Sequence, residues 1–186
     1  MTGNVVTHWP TALRQILIAL WVGSLWTVGC LVAPTLFLSL SDTILAGTIA
    51  GKIFRVEAWL SVGMAVVIAI LIKRTETKRI ETNRTETQAS PKSASLHLVG
   101  AMLACTLIGY FGLQPFMAAL RLAAPGGVLT GSARTHFGIL HGIASAIYFI
   151  ESGLGLLLLY RSSRMGVEAI NLRKGTEFMR DSPFRR

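Results

Sequence analysis

A chain of 186 residues that is 52% hydrophobic, only 15% charged and of mean hydropathy +0.55 is too apolar for a soluble domain, in which about a quarter of all residues are charged. The formal net charge of +9, from 18 Lys and Arg against 9 Asp and Glu, does not point to a nucleic-acid partner. Most of the basic residues collect in two hydrophilic stretches between or after long apolar runs, where orientation signals of a membrane protein belong, so the lipid bilayer is the expected partner.

Four apolar stretches follow in chain order, 16–37, 56–72, 96–116 and 137–160. At about 1.5 Å rise per residue each reaches across a hydrocarbon layer of roughly 30 Å, the second only just. Lipid offers backbone groups no partner and no barrel-type alternation is present, so the expected fold is all-α, a polytopic four-helix bundle. The first stretch is too long for the apolar core of a signal peptide and is read as a retained helix. Ser41-Asp42 offers a helix N-cap ahead of the second stretch, which suggests an early start, and Gly47 and Gly51 repeat small residues on one helix face. Pro34 and Pro115, near the ends of the first and third stretches, are expected to stop or kink a helix.

The polar segment 73–95 holds a five-residue repeat, Arg74-Thr-Glu-Thr-Lys78, Arg79-Ile-Glu-Thr-Asn83 and Arg84-Thr-Glu-Thr-Gln88. Five matches neither a helix face nor a strand face, and the segment is read as a disordered loop. Residues 1–160 thus form the membrane domain and 161–186 a basic tail with some helical character near 167–172. The N-terminus, the repeat loop and the tail carry fourteen Lys and Arg; Lys52, Arg55, Arg121 and Arg134 are the four on the other side. The positive-inside rule then puts both ends in the cytoplasm of a bacterial inner membrane. Trp9, Trp59 and Tyr160 stand where interfacial anchors belong, whereas Trp21 and Trp26 fall deeper and are read as packing residues.

Ionisable groups inside a bilayer are costly and are the first candidates for function. Glu151 lies nine residues before Tyr160, roughly 13 Å into the core at about 1.5 Å per residue. Depth counting puts Cys105 and Thr106, Gly63 and Met64, and residues 24–27 at its level, none of them basic. A carboxyl there either carries its proton or faces a wet cavity. His141, Ser145, Tyr148 and Ser152 recur at spacings of four, three and four, a polar stripe beside Glu151, with Gly138 and Gly142 as a packing pair on the adjoining face. The bland account of the stripe is a packed helix face; the sharper one is a polar path. A second group, Arg55, Glu57, His136 and His141, is read as an outer-face cluster, either an ion-paired collar or a His-carboxylate site. His136 and His141 do not share a helix face, which weakens a metal or a bis-histidine haem there. Cys30 and Cys105 lie in apolar runs without a metal-binding spacing. No cofactor is expected, and the absence of HExxH, GxSxG and phosphate-loop patterns makes an enzyme unexpected.

The run from Trp21 through Pro34 to Phe37, then Ala46-Gly47 and Gly51-Lys-Ile-Phe54, then His136-Phe-Gly-Ile-Leu-His-Gly142, resembles the family named domain of unknown function 4149, whose eukaryotic relatives are called transmembrane protein 205-like. The resemblance implies a small four-span membrane protein without an assigned activity. It marks Trp21, Gly23, Pro34, Phe37, Gly47, Gly51, His136, His141 and Gly142 as characteristic positions. The first span is more distantly similar to copper-resistance-D-like, haem-handling membrane proteins. The expected function is binding or transport of a small solute or soft metal ion along the Glu151 to His141 stripe, with a homo-oligomer through the glycine-rich faces. The alternatives are an accessory subunit without its own ligand and a haem-binding redox protein.

Overall fold

A polypeptide that crosses lipid must satisfy its backbone groups within each segment, and this chain does so with helices throughout. The computed structural model describes residues 9–82, 91–124, 126 and 128–180, with no strand among them. The first span is an interrupted rod: α1 (Trp9–Trp26), the π-helical segment π1 (Thr27–Val32) and α2 (Ala33–Ser39). The second is the continuous helix α3 (Thr43–Thr82). The third repeats the interruption, as α4 (Pro91–Thr106), π2 (Leu107–Leu113) and α5 (Gln114–Ala123), and the fourth is α6 (Gly131–Arg180). Four segments, Ala12–Ser39, Thr43–Arg74, Ala94–Ala123 and Gly131–Arg164, are long and apolar enough to cross a membrane, so this is a four-span, all-α architecture.

Each span is longer than hydropathy alone predicts. The largest extension is to the second, which starts at Thr43, as the Ser41-Asp42 cap suggests, and not at Val56 where its apolar run begins. Its start is fixed by the Asp42 cap: Ile44 and Leu45 donate their backbone N–H groups to Asp42 Oδ1 at 2.8 and 3.0 Å, satisfying two of the first-turn donors that an α-helix leaves free. Lys52 and Arg55 interrupt the apolar run but not the helix. At the other end α3 continues to Thr82 and α4 opens at Pro91. Of the segment expected to be a disordered loop, residues 73–82 and 91–95 are therefore helical, and 83–90 lie outside the described residues. Lys, Arg and Glu are good helix formers, and a helix already nucleated in the bilayer needs no apolar face to continue for a few turns. The same holds for the tail, where α6 runs on to Arg180.

Pro34 and Pro115 explain the two π segments. Each stands in the first turn of the helix that follows one, α2 and α5 respectively. A proline within a helix lacks an N–H and crowds the carbonyl four residues before it. One wide turn ahead of the proline gives that carbonyl room and lets the helix resume.

The spans form a ring. α1 packs against α3 and α6, and α4 packs against the same two, so α1 faces α4 and α3 faces α6 across the bundle. Ile18, Trp21, Leu25, Ile68, Met102 and Leu158 are the centre of the buried core. Trp21 is fully buried and donates its indole N–H to Ser61 Oγ at 2.9 Å. Trp26, in contrast to the expectation, faces outward. One turn beyond the core, Arg14 precedes Ile18, Ser95 precedes Val99 and Ser162 follows Leu158. All three are buried, and Arg14 Nε and both hydroxyls have no hydrogen-bond partner.

Candidate functional site

Towards the α2 and α5 ends of the bundle the two π segments and the facing parts of α3 and α6 leave a cavity of about 370 Å³. Its walls are largely apolar and aromatic, with Leu25, Phe37, Phe54, Met117 and Phe137 among them, and its polar groups include Glu57, Ser61, Thr106, Tyr148, Glu151 and Arg121. A mostly apolar recess with a few convergent polar groups is the usual form of a small-molecule site.

Two carboxylates define it. Glu151, on α6, is 3% exposed and accepts a hydrogen bond from Thr106 Oγ1 at 2.7 Å. Glu57, on α3, is 6% exposed and accepts one from Ser24 Oγ at 2.9 Å. The two are near enough to repel one another, and Ser61 also lies beside Glu151. Among the described residues no basic side chain pairs with either carboxylate. Buried charge without a counter-charge is costly, which makes this pair an expensive feature of the bundle.

Tyr148 fixes the wall between them. Its hydroxyl donates to the carbonyl of Leu25 at 2.6 Å, just before π1, and its ring meets Phe54 edge to face with centroids 5.3 Å apart. Gly29 makes room for that ring: a Cβ there would stand 2.5 Å from Tyr148 Cε1. At the mouth, the Arg121 guanidinium lies 4.6 Å from the Phe137 ring centroid and donates weakly to the Gly47 carbonyl at 3.4 Å. Gly47 holds this arrangement open, since a Cβ there would lie 3.2 Å from Arg121 Nη2.

Of the stripe read on the fourth span, His141, Ser145, Tyr148 and Glu151 all line the cavity. Ser152 does not; it is buried and bonds back to the Tyr148 carbonyl at 2.9 Å. The expected outer-face cluster is not assembled. Arg55 is exposed and donates from Nε to the Tyr110 hydroxyl at 3.1 Å, His136 is exposed, and His141 stacks on Phe137 with centroids 6.0 Å apart. Glu57 leaves the group because α3 starts 13 residues before Val56, which moves it from the rim to the middle of the bundle. Gly47 and Gly51 line the cavity opposite α5, while Gly138 and Gly142 are exposed with open space around them, so the latter pair packs against nothing within the described chain. Cys30 and Cys105 are both free thiols. No group of three or more His, Cys, Asp or Glu is placed to hold a metal ion among the described residues.

Sequence reasoning did not single out Ser24, Ser61, Arg121 and Phe137. The signal that could have found Ser24 was present: counting depth from the Asp42 cap would have set Glu57 level with it.

No curated protein and no solved structure matches this chain. The family model described as "Domain of unknown function (DUF4149)" matches residues 16–125, which takes in the first three spans, both π segments and Glu57, and stops short of α6. On the strength of that match, over more than half its length, the chain belongs to the DUF4149 family.

Proposed function

We propose that this protein is a small-solute binding or transport protein of a bacterial inner membrane, and not an enzyme, with the cavity between the two π-interrupted spans as its binding site. The observation that carries the reading is the pair of buried carboxylates, Glu57 and Glu151, both lining one cavity and neither matched by a basic side chain among the described residues. An accessory subunit has no use for so costly a feature. A soft metal is less well supported than a solute with an apolar body, because the walls are aromatic and aliphatic and Cys105 and Met117 are the soft ligands among the described lining residues.

The test is a thermal-shift survey of purified, full-length protein against small cationic, neutral and anionic solutes, run beside Ala144→Phe. Ala144 lines the cavity, and a phenyl ring there takes up space that a solute would need. At least one solute is expected to raise the melting midpoint of the wild type by several degrees and to leave Ala144→Phe unmoved. If every solute leaves the wild type unmoved, or moves both proteins alike, the site reading fails and an accessory subunit takes its place.

Both ends are assigned to the cytoplasm on the fourteen-to-four asymmetry of Lys and Arg. With Cys30→Ser and Cys105→Ser as background, a Ser182→Cys probe is expected to react with a membrane-impermeant maleimide only after cells are broken. Labelling of intact cells would invert the topology.

A further inference from the structure

The two halves of the bundle are built to one plan. Pro115 stands 81 residues after Pro34, and Leu113, the last residue of π2, stands 81 after Val32, the last of π1. The same step carries the core residues Ile18 and Trp21 onto Val99 and Met102. On the uninterrupted helices a step of 94 carries Glu57 onto Glu151 and Phe54 onto Tyr148. Both interrupted spans run in the same direction, so the hairpins α1–α3 and α4–α6 correspond by a half-turn about an axis along the membrane normal, as parallel repeats do.

Corresponding contacts recur as well. In the first half a hydroxyl of the interrupted span, Ser24, holds the carboxylate of the continuous helix, Glu57; in the second, Thr106, one residue past the position that the step of 81 gives for Ser24, holds Glu151. Trp21 meets Ser61 through a hydrogen bond in the first half. Met102 meets Gly155 at the corresponding place in the second, its Cε 3.2 Å from where a Cβ would be. Phe54 and Tyr148, which correspond to each other, touch edge to face across the bundle, as a pair astride the axis must. The site is therefore a single one formed from two equivalent half-sites.

Resting on the solute-binding reading above, we propose that the ligand is an organic monocation, an amine with an apolar or aromatic body, held between Glu57 and Glu151 with its body against the Phe54–Tyr148 wall. Two like charges in one low-dielectric void cannot both remain without a counter-charge. A pair that keeps one proton has a single negative charge, which a monocation neutralises. A hard divalent ion wants six or more oxygen ligands, whereas most of this wall is carbon. An aromatic face, unlike a hydrated one, favours an ammonium that has shed its water. Arg121, at the mouth and ten residues along α3 from Glu57 by way of its Gly47 contact, is about 15 Å away in height at about 1.5 Å per residue, too far to supply the missing charge.

The experiment measures binding of 2-phenylethylamine, its neutral isostere 2-phenylethanol and the anion 3-phenylpropionate to full-length protein in lipid nanodiscs. The amine is expected to bind, and at least tenfold more tightly than the alcohol or the acid. Glu57→Gln and Glu151→Gln are each expected to weaken it about tenfold and by similar factors, as equivalent half-sites require, and the double variant to abolish it. Equal binding of amine and alcohol overturns the inference without any variant, so a variant that fails to fold does not leave it undecided. Tighter binding of the acid, lost in Arg121→Gln, overturns it in favour of an anion at the mouth. If the alcohol binds as tightly as the amine and Ala144→Phe prevents both, the solute-binding reading stands and only the cation assignment falls. If none of the three binds, the cation assignment falls, and the solute survey with Ala144→Phe decides separately whether the wider reading survives.

Discussion

Trp21→Ala is expected to be the most destabilising single substitution in the bundle, lowering stability by about 3–5 kcal/mol, the range seen when a large buried aromatic side chain is cut back to alanine. Trp21 is fully buried in the core between α1, α3 and α6, and its indole N–H is taken by Ser61. Within lipid the gain from removing apolar groups from water is absent between helices, and close packing carries the association instead. A void at this position therefore removes the term on which the bundle depends. Trp21→Phe keeps most of the volume and loses the hydrogen bond, for an expected cost of about 1 kcal/mol. Thermal unfolding midpoints in detergent should fall in the order wild type, Trp21→Phe, Trp21→Ala. An alanine variant that melts with the wild type would mean that the layer relaxes to fill the space.

The second large effect is expected at Gly29. A Cβ at this position meets Tyr148 Cε1 at 2.5 Å, and the ring cannot retreat without giving up its hydrogen bond to the Leu25 carbonyl and its contact with Phe54. Gly29→Val should cost about 2–4 kcal/mol, from overpacking of about 1–3 kcal/mol together with a lost hydrogen bond of about 1 kcal/mol. The diagnostic comparison is the same substitution in a Tyr148→Ala background. There the obstacle is gone, and the cost of Gly29→Val should drop below about 1 kcal/mol, a strongly non-additive result of the kind expected for residues in contact. An unchanged cost in that background would place the need for glycine in π1 itself. Gly109 in π2 meets Ile147 Cγ2 at a looser 3.3 Å, so Gly109→Ala should be the milder of the two alanine replacements.

The fold class and the number of spans are legible in composition and hydropathy, because a bilayer admits so few architectures. Glu151 is legible too: a carboxyl nine residues into an apolar run is conspicuous, and depth counting already set Thr106 at its level. The second half-site was obscured by two charges. Lys52 and Arg55 break the apolar run of α3, so the run appears to begin at Val56 and Glu57 appears to lie at the membrane rim. The Asp42 cap is the stronger signal of where the helix starts, since capping acts on the backbone whereas hydropathy reports only the side chains. The start of the repeat segment, residues 73–82, is helical for a related reason: a sequence with little to bury suggests disorder, although good helix formers extend a helix whose nucleus is supplied by the span before it. The π segments leave no mark in periodicity over so few residues. Only the prolines after them announce a disturbance, and they do not say which kind.

Arg14, Ser95 and Ser162 bear on how far the sealed part of the bundle extends. They are buried polar groups that hydrocarbon cannot solvate, and on the far side of the apolar core stand Ser24 and the carboxylate it holds, Glu57. Ten residues of α1 separate Arg14 from Ser24, about 15 Å at about 1.5 Å per residue, which is about half the thickness of a bilayer core. The layer of Ile18, Trp21, Met102 and their neighbours is therefore the part of the bundle that a solute held between the carboxylates would have to pass to reach the other side.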